Sequence, residues 1–383
     1  MKITKDIIYV GVHDKDIDLF EGQYKVPYGV LYNSYVILDE KIAVMDTVDG
    51  KFGDDWLGNV EKVLDGRTPD YLIVQHMEPD HSANIQNFMK KYPEAVVVGN
   101  KKTFKMIELY FGENYEARCL CVADGETLCL GKHNLTFVFA PMVHWPEAMM
   151  TYDSTDKVLF SADGFGRFGE AESQEDWSQE ARRYYIGIVG KYGPQVQAVL
   201  KKAAQLEIGT ICPLHGPVLN ENLGYYLDLY NKWSSYEAEE DGVVIAYNSV
   251  YGHTGYVAEL LYEYLSANIR TEIYDLARCD KAEVIAAAFR YSKLVLAGTT
   301  YNNGLFPCMK EFIDGLTERN YQNRTVAFVE NGSWAPTAAK NMKAMFEKSK
   351  NITFCENTVT VNAAFAKGTD EEKLRNLAEE LSK

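Results

Sequence analysis

Four metal-capable side chains fall between positions 76 and 81 of the 383-residue chain: His76, Glu78, Asp80 and His81, within Gln75-His76-Met77-Glu78-Pro79-Asp80-His81-Ser82. They follow the apolar run Tyr71-Leu72-Ile73-Val74, which is too short for a helix and reads as a buried strand. Alternation along an extended chain sends His76 and Glu78 to one side. A turn at Pro79 then carries Asp80 and His81 to a second, neighbouring position. The spacing therefore provides for two adjacent metal ions. Imidazole and carboxylate donors without thiolate suit iron, manganese or zinc rather than copper(I) or an iron–sulfur cluster. A polar surface loop would explain a lone His, but not so dense a set of ligand types.

Three more ligand candidates stand where strand-like runs end. Leu135–Ala140 leads to His144, Lys157–Phe160 to Asp163, and Glu207–Cys212 to His215. A polar residue beyond a strand's end, beside Gly or Pro, sits in a loop where a site can assemble. Each alone reads as a loop residue making local hydrogen bonds. As a set they add what two metals lack, one more His each and a carboxylate able to bridge.

The second half of the chain carries another constellation. Asn248-Ser249-Val250-Tyr251-Gly252-His253-Thr254-Gly255 lies between a strand-like and a helix-like segment. Hydroxyls and backbone N–H groups at a helix N-terminus cradle a phosphate. The loop has neither the lysine of a triphosphate-binding loop nor Gly-x-Gly-x-x-Gly spacing, so a monophosphate held by neutral donors fits better. Two later strand ends add Thr300, Tyr301, Asn302, Asn303 and Gly304, then Gly332, Ser333 and Trp334. Tyr301 and Trp334 can stack on a flat ring while the asparagines and nearby amides hydrogen-bond its edge; ordinary aromatic packing explains either ring alone.

These residues need elements to position them. Before residue 240 the pattern is strand-rich. Tyr35–Leu38 and Ile42–Met45 read as a hairpin, and amphipathic helical stretches cover 54–64, 83–91 and 102–111. Strands alternating with helices predict a sheet sandwich covered by helices. Around 236–242 the chain turns polar and acidic, which reads as a linker. Strands are then expected at 243–247, 271–276, 293–297, 325–329 and 352–360, with helices between and a closing helix at 370–382. That is the doubly wound α/β class, and ligands in open α/β sheets sit outside the carboxyl ends of the strands. The expected domains are 1–240 and 241–383.

Composition narrows the function. A formal charge of −16 argues against a nucleic-acid partner, since phosphate backbones require clustered Lys and Arg. No apolar run approaches the roughly eighteen residues of a membrane span, and the charged N-terminus has no signal pattern, so a cytoplasmic protein is expected. The seven cysteines are scattered and form no Cys-x-x-Cys. This is reduced-compartment usage, and it excludes a built-in rubredoxin-type iron centre.

His76-x-Glu78-x-Asp80-His81 with His144, Asp163 and His215 resembles the metallo-β-lactamase-like site in its flavodiiron-protein form. Glu78 is the discriminating position, because zinc hydrolases of that superfold usually carry His there. His144-Trp145-Pro146-Glu147, Pro213-Leu214-His215-Gly216 and Tyr28–Tyr35 also look like that family's local sequences. The three later loops look like flavodoxin, with His253 where such loops often have Asn. The two halves together resemble a minimal two-domain flavodiiron protein: an N-terminal metallo-β-lactamase-like αββα sandwich and a C-terminal flavodoxin-like five-stranded parallel sheet. The resemblance implies FMN and two non-haem irons per chain. His76, Glu78 and His144 would hold one iron, Asp80, His81 and His215 the other, with Asp163 bridging. It also implies reduction of dioxygen to water, nitric oxide to nitrous oxide, or both. Electrons would come from an external donor such as rubredoxin or reduced F420, within a head-to-tail homodimer or a dimer of dimers. Phe20, Tyr24 and Trp145 are candidates for packing around the open metal position. The competing readings are a zinc metallohydrolase with an appended flavodoxin-like domain and a flavodoxin-type electron carrier with a vestigial metal site.

Overall fold

The computed structural model describes every residue except Asn114, together with all side chains but those of Asn114 and Glu175. The chain forms two compact units, Met1–Tyr185 with Tyr192–Asn231, and Ile186–Lys191 with Lys232–Lys383.

In the first unit two sheets face one another. One is six-stranded, in the order Ile7–Tyr9, Tyr35–Ile37, Ala43–Met45, Tyr71–Ile73, Val96–Gly99, Cys119–Cys121. The other is five-stranded, in the order Thr127–Cys129, Asn134–Phe139, Met149–Asp153, Val158–Phe160, Thr210–Cys212. The predicted hairpin is present, with Tyr35 opposite Met45 and Ile37 opposite Ala43. Between the sheets lies one apolar cluster: Ile7, Tyr35, Ile37, Met45, Ile73 and Val98 from the first meet Leu135, Phe137, Met149, Val158, Phe160 and Cys212 from the second. Buried aliphatic and aromatic side chains of this kind contribute about 1.5–3 kcal/mol each, so the relative placement of the sheets is strongly fixed. Helices Gly53–Leu64, Ile85–Lys91 and Lys101–Phe111 stand close to their expected positions.

The metal-motif loop departs from the sequence expectation. The strand ends at Ile73, so strand alternation does not place His76 and Glu78. The chain runs irregularly to Glu78, which caps a short helix Pro79–Ser82 with proline at its first turn. Proline's fixed φ is pre-organised for that position, and the helical turn, not a reverse turn, presents Asp80 and His81.

The second unit is a parallel sheet in the order Thr271–Asp275, Glu240–Tyr247, Tyr291–Tyr301, Arg324–Asn331, Ile352–Val361. Numbered along the chain this is 2-1-3-4-5, the flavodoxin-like doubly wound order. Helices Pro307–Glu318 and Ala338–Met345 were not legible beforehand as discrete elements. The polar stretch 236–242, expected to be a linker, is ordered. The indole of Trp233 donates to Glu239 Oε1 at 2.6 Å, Arg290 Nε donates to Glu240 Oε1 at 2.8 Å, and the first strand of this sheet already begins at Glu240. Tyr236 is buried and donates to the carbonyl of Gly190 at 3.0 Å. Its own carbonyl accepts from Arg324 Nη1 at 2.7 Å, and Arg324 also donates to the carbonyls of Gln322, Asn323 and Phe289.

Buried Arg324 thus donates to the main-chain carbonyls of Tyr236, Gln322, Asn323 and Phe289, and the first of these also accepts from Asn323 Nδ2 at 3.3 Å. Replacing it with Ala removes these donors, at about 1–3 kcal/mol for each carbonyl left with neither another donor nor water. Arg324→Ala is expected to lose about 3 kcal/mol in the denaturant transition of the second unit; a loss below about 1 kcal/mol would contradict the clamp.

Candidate metal centre and cofactor cavity

All seven predicted ligands meet beyond the carboxyl ends of strands in the first unit. Each of two clusters contributes atoms that converge within 4.8 Å, one of His76, Glu78, His144 and Asp163, the other of Asp80, His81 and His215. In the first, His76 Nε2 lies 3.3 Å from both Glu78 Oε2 and His144 Nε2, and His144 Nε2 lies 3.0 Å from Glu78 Oε2. In the second, His81 Nε2 is 3.0 Å from His215 Nε2 and 3.4 Å from Asp80 Oδ2, with His215 to Asp80 at 3.3 Å. Asp163 faces both clusters. Its Oδ2 lies 3.2 Å from His76 Nε2 and 3.0 Å from His144 Nε2, while its Oδ1 lies 3.3 Å from His81 Nε2 and 3.8 Å from His215 Nε2.

This donor set fits metal ions. Ligand atoms about 2.0–2.2 Å from a shared ion stand roughly 3.0–3.5 Å apart, the spacing seen in both clusters. Two imidazoles have their tautomers set by partners behind them. His76 Nδ1 donates to Glu147 Oε1 at 2.8 Å, and His215 Nδ1 donates to the carbonyl of Leu31 at 2.8 Å. The Nε2 atoms are therefore lone pairs aimed at carboxylate oxygens, an arrangement that repels unless a cation or proton lies among them. Both oxygens of Asp80 and of Asp163 are buried without a hydrogen-bond donor, which is costly for an anion left unpaired. The electrostatics agree. Burial opposes charge on His76, yet the Asp163, Glu147 and Glu78 carboxylates lift its imidazole well above the ordinary value. His144 is lifted to about 9 against burial, by Asp163 and Glu78. Burial would raise Asp163, but the His76, His144 and His81 imidazoles hold it well below the usual range. The centre calls for positive charge.

Aromatic rings close the space around it. Phe20 stands 5.4 Å from the His215 ring, and Trp145 stands 5.4 Å from the His76 ring. Tyr24 packs one layer back, against Phe168. Sequence reasoning assigned no role to Glu147, which also accepts from Met77 N at 2.9 Å. It likewise passed over Asp46, whose carboxylate accepts from Gln75 N at 2.7 Å and from His76 N at 3.3 Å. Burial raises the Asp46 carboxyl to about 6 despite those donors. Asp46 follows directly on the Ala43–Met45 strand, so the strand-end rule that found Asp163 could have found it.

In the second unit a cavity of about 480 Å³ opens at the carboxyl ends of the strands, within the usual range for cofactor sites. Its walls include Ser249, Tyr251, His253, Thr254, Thr300, Tyr301, Asn302, Asn303, Gly332, Ser333 and Trp334, joined by Val250, Thr299, Asn331 and Ala363. Gly252 and Gly304 are not among the wall residues. Gly252, at φ 92°, precedes helix His253–Ser266, and its N–H donates to Ser249 Oγ; Gly304 pairs with Tyr301 in a short return strand. That helix has no side-chain cap, so its first N–H groups are free for an anion. Among the described residues no Lys or Arg lines the cavity. Tyr251, Tyr301 and Trp334 remain exposed around it, as suits a flat ring stacked at a protein surface. The Thr300 hydroxyl is already engaged, accepting from Thr337 N and Ala338 N.

A metallo-β-lactamase-like domain with paired ligand clusters, followed by a flavodoxin-like domain, is the class that the fold and sites define. Comparisons agree: residues 30–216 match the family described as ODP family beta lactamase, and 244–364 match a flavodoxin domain. The chain is 30% identical over 364 residues to a protein named anaerobic nitric oxide reductase flavorubredoxin from Salmonella arizonae, covering 90% of this chain and 74% of that one. A protein of the same name from Pectobacterium carotovorum is 29% identical, covering 87% and 68%. Among solved structures, rubredoxin oxygen:oxidoreductase from Desulfovibrio gigas superposes with a TM-score of 0.93 at 24% identity, covering 100% of this chain and 97% of that one. The flavodiiron protein from Giardia intestinalis gives 0.90 at 24% identity, covering 99% and 96%. The chain belongs to the flavodiiron protein family.

Two variants probe the centre. Asp163→Ala is expected to abolish binding of the metal pair and leave flavin content unchanged; retained metal would refute bridging. Glu147→Ala frees the His76 ring to turn, and metal affinity measured by chelator competition is expected to fall about 10–100-fold.

Proposed function

We propose that this chain is an oxidoreductase that reduces dioxygen to water, nitric oxide to nitrous oxide, or both, at a non-haem diiron centre fed through FMN. Residues 1–240 carry the metal centre and 241–383 the flavin. The observation that carries this reading is Asp163, with one oxygen in each ligand cluster. His76, Glu78 and His144 hold one iron, and Asp80, His81 and His215 hold the other. Glu78 supports iron over zinc, since it supplies a hard oxygen donor where a hydrolase has imidazole. Ser249, Thr254 and the free N–H groups of helix His253–Ser266 hold the FMN phosphate, and Tyr301 and Trp334 flank its ring.

When bound, the reduced flavin and a ferrous pair each supply two electrons, together the four that complete reduction of dioxygen requires; redox-inert zinc could not contribute. The residues set the conditions for that chemistry. Glu147 and the Leu31 carbonyl lock two imidazoles with Nε2 inward, Asp163 spaces the two clusters, and Phe20 and Trp145 exclude water from the gas-binding side. Electrons come from an external donor of the rubredoxin type or from reduced F420. The relatives' name, flavorubredoxin, supports the former. The assembly proposed is a head-to-tail homodimer, alone or paired, and the exposed aromatic rim of the flavin cavity supports approach of a second protein there.

Anaerobic stopped-flow mixing of the fully reduced protein with O2, and separately with NO, tests the reading. Rapid joint reoxidation of flavin and metal by at least one gas is expected, and it names the preferred substrate. Slow oxidation of flavin alone, with peroxide released and no reaction with NO, would overturn it.

A further inference from the structure

Between the paired strands Val12–Asp14 and Val30–Tyr32, residues 15–29 make an excursion that brings a small hairpin against the metal centre. The hairpin, Leu19–Phe20 with Tyr24–Lys25, has two residue pairs, too few to hold its own shape in water. Its Phe20 and Tyr24 side chains are buried and both rest on Phe168, with ring centroids 5.5 and 5.8 Å apart. Phe20 also stands edge-on to the His215 ring at 5.4 Å. The guanidinium of Arg183 lies over the Phe168 ring, 4.7 Å from its centroid, and its Nη2 donates to the Lys25 carbonyl at 2.6 Å. Arg183 is buried in the last turn of helix Gln174–Tyr184. Glu180, one turn earlier, accepts from Nη2 at 2.7 Å and from Nε at 3.3 Å, which fixes the fork. One side chain thus grips the hairpin twice, directly at its returning strand and through the ring on which both buried aromatics rest.

We propose that Arg183 is a positioning residue for the metal centre: by clamping the hairpin Leu19–Lys25 it keeps Phe20 seated against His215. This rests on the dinuclear reading above. The Leu31 carbonyl holds the His215 ring at Nδ1, a single contact about which the ring can still tilt. The rings of Phe20, Tyr32 and Tyr184, at 5.4, 5.8 and 5.5 Å, limit that tilt. Tyr32 and Tyr184 belong to a strand and a helix, Val30–Tyr32 and Gln174–Tyr184. Phe20 belongs to the short hairpin, so it is the member of the cage that needs a clamp from outside. Lysine could not replace the arginine, because an ammonium has no plane to lay on Phe168 and no fork to serve the Lys25 carbonyl and Glu180 together.

The test follows amide hydrogen exchange and the metal centre together in iron- and FMN-loaded wild type, R183A and R183K. Amides of residues 15–29 are expected to exchange about tenfold faster in both variants, with the two facing sheets unchanged. The EPR signal of the half-reduced, mixed-valence iron pair is expected to shift in both. Methylguanidinium, which refills the space left in R183A, is expected to return both readouts toward wild type. Unchanged exchange in 15–29 would overturn the clamp. Faster exchange there with an unaltered EPR signal would overturn the positioning of His215 and leave a packing contact only. If R183A exchanges fast throughout the first unit, R183K decides by the same two readouts. Wild-type protein that binds iron but gives no mixed-valence signal would instead overturn the dinuclear reading, and the positioning role with it.

Discussion

The metal centre depends on one carboxylate standing between two sets of imidazoles. Asp163 leaves the end of Val158–Phe160 in the second sheet of its unit, whereas His76 to His81 arrive from the end of Tyr71–Ile73 in the first. Its two oxygens reach His76 and His144 on one side and His81 on the other at 3.0–3.3 Å. Such spacing survives only if the sheets keep their relative placement, because a slip of one residue along a strand turns every side chain to the opposite face. The apolar cluster between the sheets enforces the register. Packing of this layer and geometry of the site are thus a single constraint, and metal binding and folding are linked through it.

The loops around Asp163 hold one another in place. Glu147 stands in the same loop as His144, yet its carboxylate supports His76 and the Met77 amide from the neighbouring loop. The Leu31 carbonyl orients His215, and Asn33 Nδ2 donates to the Pro213 and Gly216 carbonyls on either side of that histidine. Gly216 itself, at φ 81°, has Arg167 so close that a Cβ would meet Arg167 Cγ at 2.6 Å. His76 and His215 are thus each oriented by a segment distant in sequence, so neither loop could be grafted elsewhere with its ligand geometry intact.

Much of this was legible in the sequence, and the reasons differ between parts. Ligand types, their density at 76–81 and their recurrence after apolar runs survive any error in element boundaries, so the ligand list did not depend on the local backbone. The mechanism of presentation was misread: alternation was assigned to a stretch that Pro79 and Glu78 turn into a loop and a short helix. The polar, acidic stretch 236–242 reads as a linker because the partners of Glu239 and Glu240, here Trp233 and Arg290, are invisible without tertiary structure. Glu147 and Asp46 were missed for the same reason, since a carboxylate that orients a ligand looks in sequence like any other. In the second half the strand alternation was clear, whereas helices Pro307–Glu318 and Ala338–Met345 were not resolved as separate elements.

The two sites meet a shared problem, anions in an acidic chain, by opposite means. The metal centre gathers carboxylates without Lys or Arg among its ligands, leaving their charge for metal ions to neutralise. On the proposed reading the cavity of the second unit holds a phosphate in a protein of net charge −16, and among the described residues no Lys or Arg lines it. On that reading, main-chain N–H groups at a helix start, with hydroxyls, would perform that task through fixed dipoles. A cationic side chain would bind phosphate more strongly, but its field would also favour extra negative charge on a reduced ring. Neutral donors would retain the phosphate without adding that bias, and the uncharged gases proposed as substrates would require no electrostatic steering to reach an acidic protein.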